Sequence, residues 1–339
     1  MERSTVRDVA AQAGVSIATV SRVLNGHDNV APSTRARVEA ALASRGASAP
    51  SPRTRPDPWS GTRSGPVFVR CPYVLSDYFG PIVSAIGEAL DLHGRAMLLD
   101  AGESAQSTHP LTTVQAREVA GAVLVLPPED GDELVALRRR GFPFVVVDPR
   151  LTPPRDVAAV SAAHFAGARQ VTQHLLALGH RRIGVVAGPR EWVAGNDRYA
   201  GHAAAMVDVG VLPPPELVRF THATAADGER AAGELLDLAD RPSALVCFND
   251  QSAVGALRAA AARGLAVPDD VSVTGFDDLE LSRATAPQLT TVRQPLAEMG
   301  RIAVSLLVRL LERHKLDALH VELATELVVR GSTGPVSGR

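Results

Sequence analysis

The chain has 339 residues, 45% of them hydrophobic and 21% charged, a balance that excludes disorder over the whole length and suits one small module followed by a larger two-part body. No apolar run approaches the roughly 18 residues needed to cross a bilayer, and Met1-Glu2-Arg3-Ser4 opens no secretory signal, so a cytoplasmic protein with no membrane partner is expected. The formal charge of −2 is unevenly divided: residues 1 to 65 hold nine Arg against five acidic residues, so the basic end is expected to face phosphate, or plain solvent if charge alone decides.

Residues 1 to 46 carry helical periodicity. Thr5 is placed to cap a first helix whose Val6, Val9, Ala10 and Ala13 share a face, Gly14 allows a turn, and Ser16 caps a second helix. In the second helix Val20, Val23 and Leu24 face the first, which leaves Ile17, Ala18, Ser21 and Arg22 pointing outward. That face suits a major groove: Arg22 can grip guanine O6 and N7, while Ile17 and Ala18 can meet a thymine methyl. A third helix, capped near Ser33 and running through Val38 and Leu42, closes the small core and offers Arg35 and Arg37 to the DNA backbone. The alternative is a three-helix packing module with no partner.

Residues 47 to 66 hold Pro50, Pro52, Pro56, Pro58 and Pro66 among Ser, Arg and Gly, and read as a linker. From there short apolar runs alternate with amphipathic ones. Strands are expected at Val67 to Cys71, Ala96 to Asp100, Gly121 to Leu126, Phe142 to Asp148, Arg182 to Ala187, Leu217 to Phe220, Ala244 to Phe248 and Val271 to Phe276, with a short last one near Glu326 to Arg330. Helices at Pro81 to Leu92, Phe165 to Leu178, Gln251 to Arg263 and Leu296 to Leu311 make βαβ units, and so many strands suit two parallel sheets. Cys71 and Cys247 stand far apart without a CxxC or Cys/His cluster, so neither a disulfide nor a metal site is indicated, and no cofactor motif is present.

The head, with Asp8-Val9-Ala10, Gly14-Val15-Ser16 and Thr19-Val20-Ser21-Arg22-Val23-Leu24-Asn25 in order, resembles the LacI/GalR family of lactose-repressor-type transcriptional regulators. The body continues the resemblance at Leu178-Gly179-His180-Arg181-Arg182-Ile183, Arg198-Tyr199-Ala200-Gly201, Phe248-Asn249-Asp250, Gly275-Phe276-Asp277-Asp278, and Leu289-Thr290-Thr291-Val292 with Gln294. It covers nearly everything except residues 47 to 66. It implies an α/β fold in which a three-helix helix-turn-helix head precedes two Rossmann-like lobes of periplasmic-binding-protein type, with three chain crossovers. The expected domains are 1–46 (head), 47–66 (linker), 67–330 (effector-binding body) and 331–339 (tail). Within the body one lobe takes about 67–158 with 293–317 and the other about 159–292 with 318–330. The DNA-facing residues are then Thr5, Ser16, Ile17, Ala18, Thr19, Ser21, Arg22, Asn25 and Arg35.

Ligands of doubly wound sheets bind at the carboxyl ends of strands, where Asp148, Asn249 and Asp277 are expected to converge. A sugar needs planar donors, fixed acceptors and an aromatic face. The resemblance puts Arg198, Asn249, Asp277 and Gln294 in the polar roles. Asn249 and Asp277 as helix caps, Arg198 in a surface ion pair and Asp148 as a turn cap are the competing readings. Asp77, Tyr78 and Phe79 follow the first strand, where either ring can stack on the ligand or pack in the core, and Trp192 on the loop before Arg198 can close the pocket.

The chain departs from the family at the hinge. Counting without gaps from Arg22, the family's minor-groove leucine falls on Pro56, and proline inside a helix costs roughly 3 kcal/mol. An extended linker is expected, with Arg53, Arg55 or Arg63 on phosphate or in a narrow minor groove, or a plain tether. A single head makes few base contacts, so a homodimer on a pseudo-palindromic operator is expected, with lobe closure on a small sugar effector coupled to DNA affinity by about 1 to 3 kcal/mol. A solute-binding protein would lack the DNA head. An enzyme would need a nucleophile elbow, phosphate loop or metal cluster that the chain does not show.

Overall fold

A computed structural model describes residues 5–24, 30–44, 65–102, 105 and 119–336, and the chain divides into two units, Met1–Ser60 and Gly61–Arg339. Asn25, Arg53, Arg55 and Arg63 lie outside the described residues, as does most of the linker.

In the first unit α1 spans Val6–Ala13, α2 Ile17–Leu24 and α3 Pro32–Ala43. Thr5 caps α1 in a reciprocal box: its hydroxyl accepts from the Asp8 N–H while the Asp8 carboxylate accepts from the Thr5 N–H at 2.8 Å. Gly14 ends α1 with φ at 60°, a conformation a side chain would strain, and Ser16 Oγ accepts from the Thr19 N–H at 3.1 Å to start α2. Val9, Ala10, Ala13, Val20, Val23, Val38 and Ala41 form the buried core. One expectation fails. α3 begins at Pro32 with no side-chain cap, because proline at the first helical position has its φ preset and no N–H to satisfy, so Ser33 is not the cap. Arg37 Nη2 donates to the carbonyls of Ala13 (2.5 Å) and Gly14 (3.1 Å), covering the C-terminus of α1.

The second unit holds two parallel sheets. The elements of the first lobe are β1 (Val67–Cys71), α4 (Phe79–Leu92), β2 (Met97–Ala101), β3 (Gly121–Val125), α5 (Gly131–Arg139), β4 (Phe144–Val147) and β5 (Ala158–Ala162). The second lobe follows with α6 (His164–Ala177), β6 (Ile183–Ala187), α7 (Val193–Asp208), β7 (Val218–Phe220), α8 (Ala225–Leu236), β8 (Ala244–Cys247), α9 (Asp250–Ala261), β9 (Ser272–Thr274) and α10 (Glu280–Ala284). Last come β10 (Thr291–Arg293), α11 (Leu296–Leu311), β11 (His320–Leu323) and β12 (Glu326–Val328). The first sheet runs β11-β5-β4-β3-β1-β2 and the second β7-β6-β8-β9, while β10 and β12 pair antiparallel. Every residue of β1, β3, β4, β6 and β8 is buried, as a parallel sheet covered on both faces requires.

The lobe boundaries shift from those expected. β5 and β11 pair with each other in the first sheet, His320 beside Ala159 and Leu323 beside Ala162, so residues 159–162 and 320–323 belong to the first lobe. Among the described residues the chain passes between lobes three times, after β5, after β10 and after β11. α11 packs against α4, with Met299, Ala303, Val304 and Leu307 joining Ile82, Ile86 and Leu90 in one core. In the second lobe α6 and α7 approach closely at Gly201, where a Cβ would stand 2.2 Å from the Phe165 carbonyl oxygen. That contact gives the glycine of Arg198-Tyr199-Ala200-Gly201 a packing reason and fixes Arg198 one turn earlier.

Candidate functional site

In the head, Ile17, Ala18, Ser21 and Arg22 are all exposed on α2, opposite the buried Val20 and Val23. Thr19 is half-buried, Ser16 and Thr5 are exposed at their cap positions, and Arg35 is half-buried on α3. The outward face predicted from periodicity is the face observed.

In the body, a cavity of about 250 Å³ opens between the lobes at the carboxyl ends of the strands. Residues after β1 (Tyr73, Asp77, Tyr78, Phe79), after β3 (Leu126), after β4 (Asp148), after β6 (Trp192), after β8 (Phe248, Asn249) and after β9 (Asp277) line it, with Arg198 from α7. Three of these, Leu126, Asp148 and Asp277, hold non-glycine φ values of 42°, 51° and 119°, strain of the kind that the surrounding fold must enforce.

A chain of polar contacts crosses the cavity. Tyr78 Oη donates to Asp148 Oδ2 at 2.6 Å, and Asp148 Oδ1 lies 3.1 Å from His164 Nε2. His164 Nδ1 sits 3.4 Å from Arg198 Nε and 3.3 Å from Nη2. A guanidinium only donates, so Nδ1 is the acceptor and Nε2 carries the proton that is donated to Asp148. Arg198 Nη1 donates to the Phe248 carbonyl at 2.6 Å, and Nη2 lies 3.7 Å from Asp277 Oδ1. The guanidinium is buried between two rings, 4.5 Å from Phe248 and 3.8 Å from Phe276.

Burial acts on the acids differently. It pushes the Asp148 carboxyl up, but the hydrogen bonds from His164 and the Tyr78 hydroxyl, with the charge of Arg198, outweigh it, and the group settles below the usual range. For Asp277 burial dominates: Arg198 and the Gln294 amide pull down, Asp250 and Asp148 push up, and the carboxyl ends well above its ordinary value. Tyr78 is raised well above its ordinary value by burial and the neighbouring carboxylates, so it remains a donor.

Arg198 is no surface ion pair, and Asp277 is no helix cap. Asn249 is a cap: Oδ1 accepts from the Ser252 N–H (2.9 Å) and hydroxyl (2.7 Å) while the residue also lines the cavity. Asp77 lines it from an exposed position. Phe79 stacks on Tyr73 at 4.7 Å and meets Tyr78 edge-on at 5.0 Å, both rings also packing against the first-lobe core. Trp192 meets Phe248 at 6.3 Å, and Arg150 lies over its ring at 5.4 Å. Gln294 does not line this cavity; it holds Asp277 from behind, Nε2 donating to Oδ1 at 2.6 Å.

His164, Tyr73, Phe248 and Arg150 join the site without having been singled out from sequence. His164 follows β5 after one residue, Ala163, so the strand-end rule would have found it had that strand been recognised. Cys71 and Cys247 are buried thiols, the first pushed up to about 11 by burial and the second higher still. Among the described residues no group of His, Cys, Asp and Glu could hold a metal ion, and no helix is long and apolar enough to cross a membrane.

Two family models match the chain: "Bacterial regulatory proteins, lacI family" over residues 5–46 and "Periplasmic binding protein-like domain" over residues 172–333. The HTH-type transcriptional repressor CytR of Escherichia coli (strain K12) is 32% identical over 335 residues, 97% of this chain and 96% of CytR. Among solved structures, the transcriptional regulator CelR–cellobiose complex matches with a TM-score of 0.72 and 32% identity, over 97% of this chain and 100% of that one. The lac repressor dimer bound to operator and the anti-inducer ONPF matches with a TM-score of 0.72 and 29% identity, over 98% and 100%.

A helix-turn-helix head with an exposed reading face, carried by a two-lobed body with a ligand-sized cavity at its strand ends, defines a DNA-binding transcription regulator with a receptor domain. The chain belongs to the LacI family of bacterial regulatory proteins.

Proposed function

We propose that this regulator acts as a repressor in the cytoplasm, a homodimer on a pseudo-palindromic operator, its affinity for DNA set by a sugar held between the lobes of the body. The observation that carries the sugar reading is the polar chain Tyr78–Asp148–His164–Arg198–Asp277, which joins donors and acceptors from both lobes beside the aromatic rings of Phe79, Trp192 and Phe248. Arg198 has five N–H groups, and its bonds to His164 and Phe248 leave donor capacity on both terminal nitrogens for neighbouring hydroxyls. Asp148, Asn249 and Asp277 accept from the ligand, Asp77 flanks it, Gln294 acts through Asp277, which it holds from behind, and Tyr78, Phe79 and Trp192 face its C–H surface.

In the head, Arg22 reads base edges with Ile17, Ala18 and Ser21, while Thr5, Ser16, Thr19, Asn25 and Arg35 hold the backbone. Arg53 and Arg55 extend the contact along the linker. CelR in complex with cellobiose and the lac repressor dimer on its operator support both halves of the reading. The chain binds its sugar without turning it over: Asp277 and Asp278, the adjacent acids, diverge, one toward Arg198 and the other toward Arg283, Arg293 and Arg330.

A thermal-shift panel of mono- and disaccharides tests the pocket. At least one sugar is expected to raise the melting temperature of the wild type, and Arg198→Ala is expected to lose that shift. A sugar that stabilises both proteins equally would remove Arg198 from the site.

A further inference from the structure

In a parallel sheet each helix runs from the carboxyl end of one strand back to the amino end of the next, so the segments leaving the helices gather on the edge opposite the cleft. On the first lobe that edge is formed by residues 91–95 at the end of α4, 138–143 at the end of α5, 152–157 before β5 and 309–317 at the end of α11. Side-chain bonds draw these segments together: Arg138 holds Asp156 at 2.7 Å, and His320 Nε2, at the start of β11, lies 3.2 Å from the Pro154 carbonyl oxygen.

The edge is basic on an acidic body. Residues 1 to 65 hold nine Arg against five acids within a total of −2, so residues 66 to 339 carry −6. Against that background the four first-lobe segments hold eight Arg and Lys with four Asp and Glu. The corresponding edge of the second lobe, residues 178–182, 208–217, 237–241 and 262–270, holds four Arg with six Asp and Glu. Helix dipoles favour cations at the C-termini of both lobes alike, so they do not account for the difference. Ion pairs do not use up the excess either. Arg138 and Arg309 are held by Asp156 and Asp317, yet Arg139, Arg140, Arg155 and Lys315 are exposed and make no ion pair among the described residues.

Exposed cations without carboxylate partners suit a polyanion, and the path of the chain says which one. Residues 47–66 join the head to β1, and the Pro66 carbonyl accepts from the Ala120 N–H at 2.9 Å just before β3, at the amino end of the first sheet. The head is therefore tethered to the basic edge and not to the acidic one, and a duplex that it holds is the polyanion kept at high effective concentration there.

We propose that the amino edge of the first sheet is a second DNA contact surface, where Arg139, Arg140, Arg155 and Lys315 take backbone phosphates beside the stretch that the head reads. Such contacts carry no sequence information. They add affinity and steepen its dependence on salt.

Fluorescence anisotropy of the full chain with a labelled random-sequence duplex of about 40 base pairs, titrated between about 50 and 200 mM salt, tests it. Each lost phosphate contact lowers the slope of log affinity against log salt by about 0.9, so Arg139→Gln/Arg140→Gln/Lys315→Gln is expected to flatten it by about 2 to 3 per bound chain and to bind at least tenfold more weakly near 100 mM. Arg139→Lys/Arg140→Lys keeps the charge and is expected to keep the wild-type slope. Arg230→Gln/Arg241→Gln/Arg258→Gln removes the same charge from the second lobe and is also expected to keep it. A wild-type slope and affinity in the first triple variant overturn the proposal, and so does an equal loss in the second-lobe variant, which would reduce the effect to total charge.

Discussion

Gln294 and Asp277 meet at the junction of the lobes, amide Nε2 donating to carboxylate Oδ1 at 2.6 Å. Asp277 follows the last strand of the second sheet, and Gln294 lies on the chain's second passage between lobes, just before α11. The bond therefore ties an acid of the cleft to the segment that must flex when the lobes move. Gln294→Ala leaves Asp277 with Arg198 alone, 3.7 Å away. A hydrogen bond contributes about 0.5 to 1.5 kcal/mol net, so effector affinity is expected to fall roughly 2- to 10-fold by calorimetry. An unchanged dissociation constant would show that Asp277 is held without it.

Asp250 sets a pH dependence of stability. It is fully buried at the start of α9, where its carboxyl accepts from the Leu279 N–H at 2.8 Å and the Thr291 hydroxyl at 2.5 Å. Burial raises it to about 7 from 3.8, the two hydrogen bonds and Arg330 opposing and Asp278 adding to the rise. Between those values the folded chain keeps a proton that the unfolded chain has released. The stabilisation is complete below about pH 4 and is lost as pH climbs through 7, at a limiting slope of about 1.4 kcal/mol per pH unit. Urea midpoints at pH 5, 6, 7 and 8 are expected to fall for the wild type and to flatten in Asp250→Asn, which can still accept from Leu279. Parallel profiles for the two proteins would remove Asp250 as the source.

Much of this arrangement is legible before any coordinates. β1, β3, β4, β6 and β8 are uninterrupted or nearly uninterrupted apolar runs because both their faces are covered, and the strand-end rule then singles out Asp148, Asn249 and Asp277. β5 (Ala-Ala-Val-Ser-Ala), β10 (Thr-Val-Arg) and β11 (His-Val-Glu-Leu) carry weak signals, being short, small or alternating with polar residues. Missing β5 and β11 moved the lobe boundary and hid His164. The bond between His164 and Arg198 joins two neighbouring helices, a relation that no periodicity along one segment encodes.

Arg22 is exposed and lies in a unit separate from the cleft. Its substitution is expected to touch recognition alone. A bidentate arginine–guanine contact is worth about 1 to 3 kcal/mol, so Arg22→Ala should weaken operator binding roughly 10- to 100-fold while binding to random duplex and the sugar-induced thermal shift stay as they were. Electrophoretic mobility shifts at fixed salt, with specific and random competitor, measure the ratio. Equal losses on both duplexes would make Arg22 a phosphate contact.

Trp192 offers an optical readout of the cleft. The chain has two tryptophans, and Trp59→Phe leaves Trp192 as the single reporter. Arg150 from the first lobe lies 5.4 Å from the Trp192 ring and 5.9 Å from that of Tyr73, to whose hydroxyl it donates, and its carbonyl accepts from the Val193 N–H at 2.9 Å. The guanidinium thus bridges an aromatic ring of each lobe along one side of the cavity. A cation over an indole contributes about 0.5 to 2 kcal/mol, and this one favours whichever state keeps the lobes together. In the Trp59→Phe background, Arg150→Ala is expected to shift Trp192 emission in the free protein and to weaken effector binding roughly 2- to 30-fold, mainly through faster dissociation. Arg150→Lys retains the charge but not the planar stack, so it should recover only part of the affinity. Stopped-flow fluorescence separates the rates, and a loss confined to the association rate would mean that Arg150 guides the sugar in rather than holding the lobes closed over it.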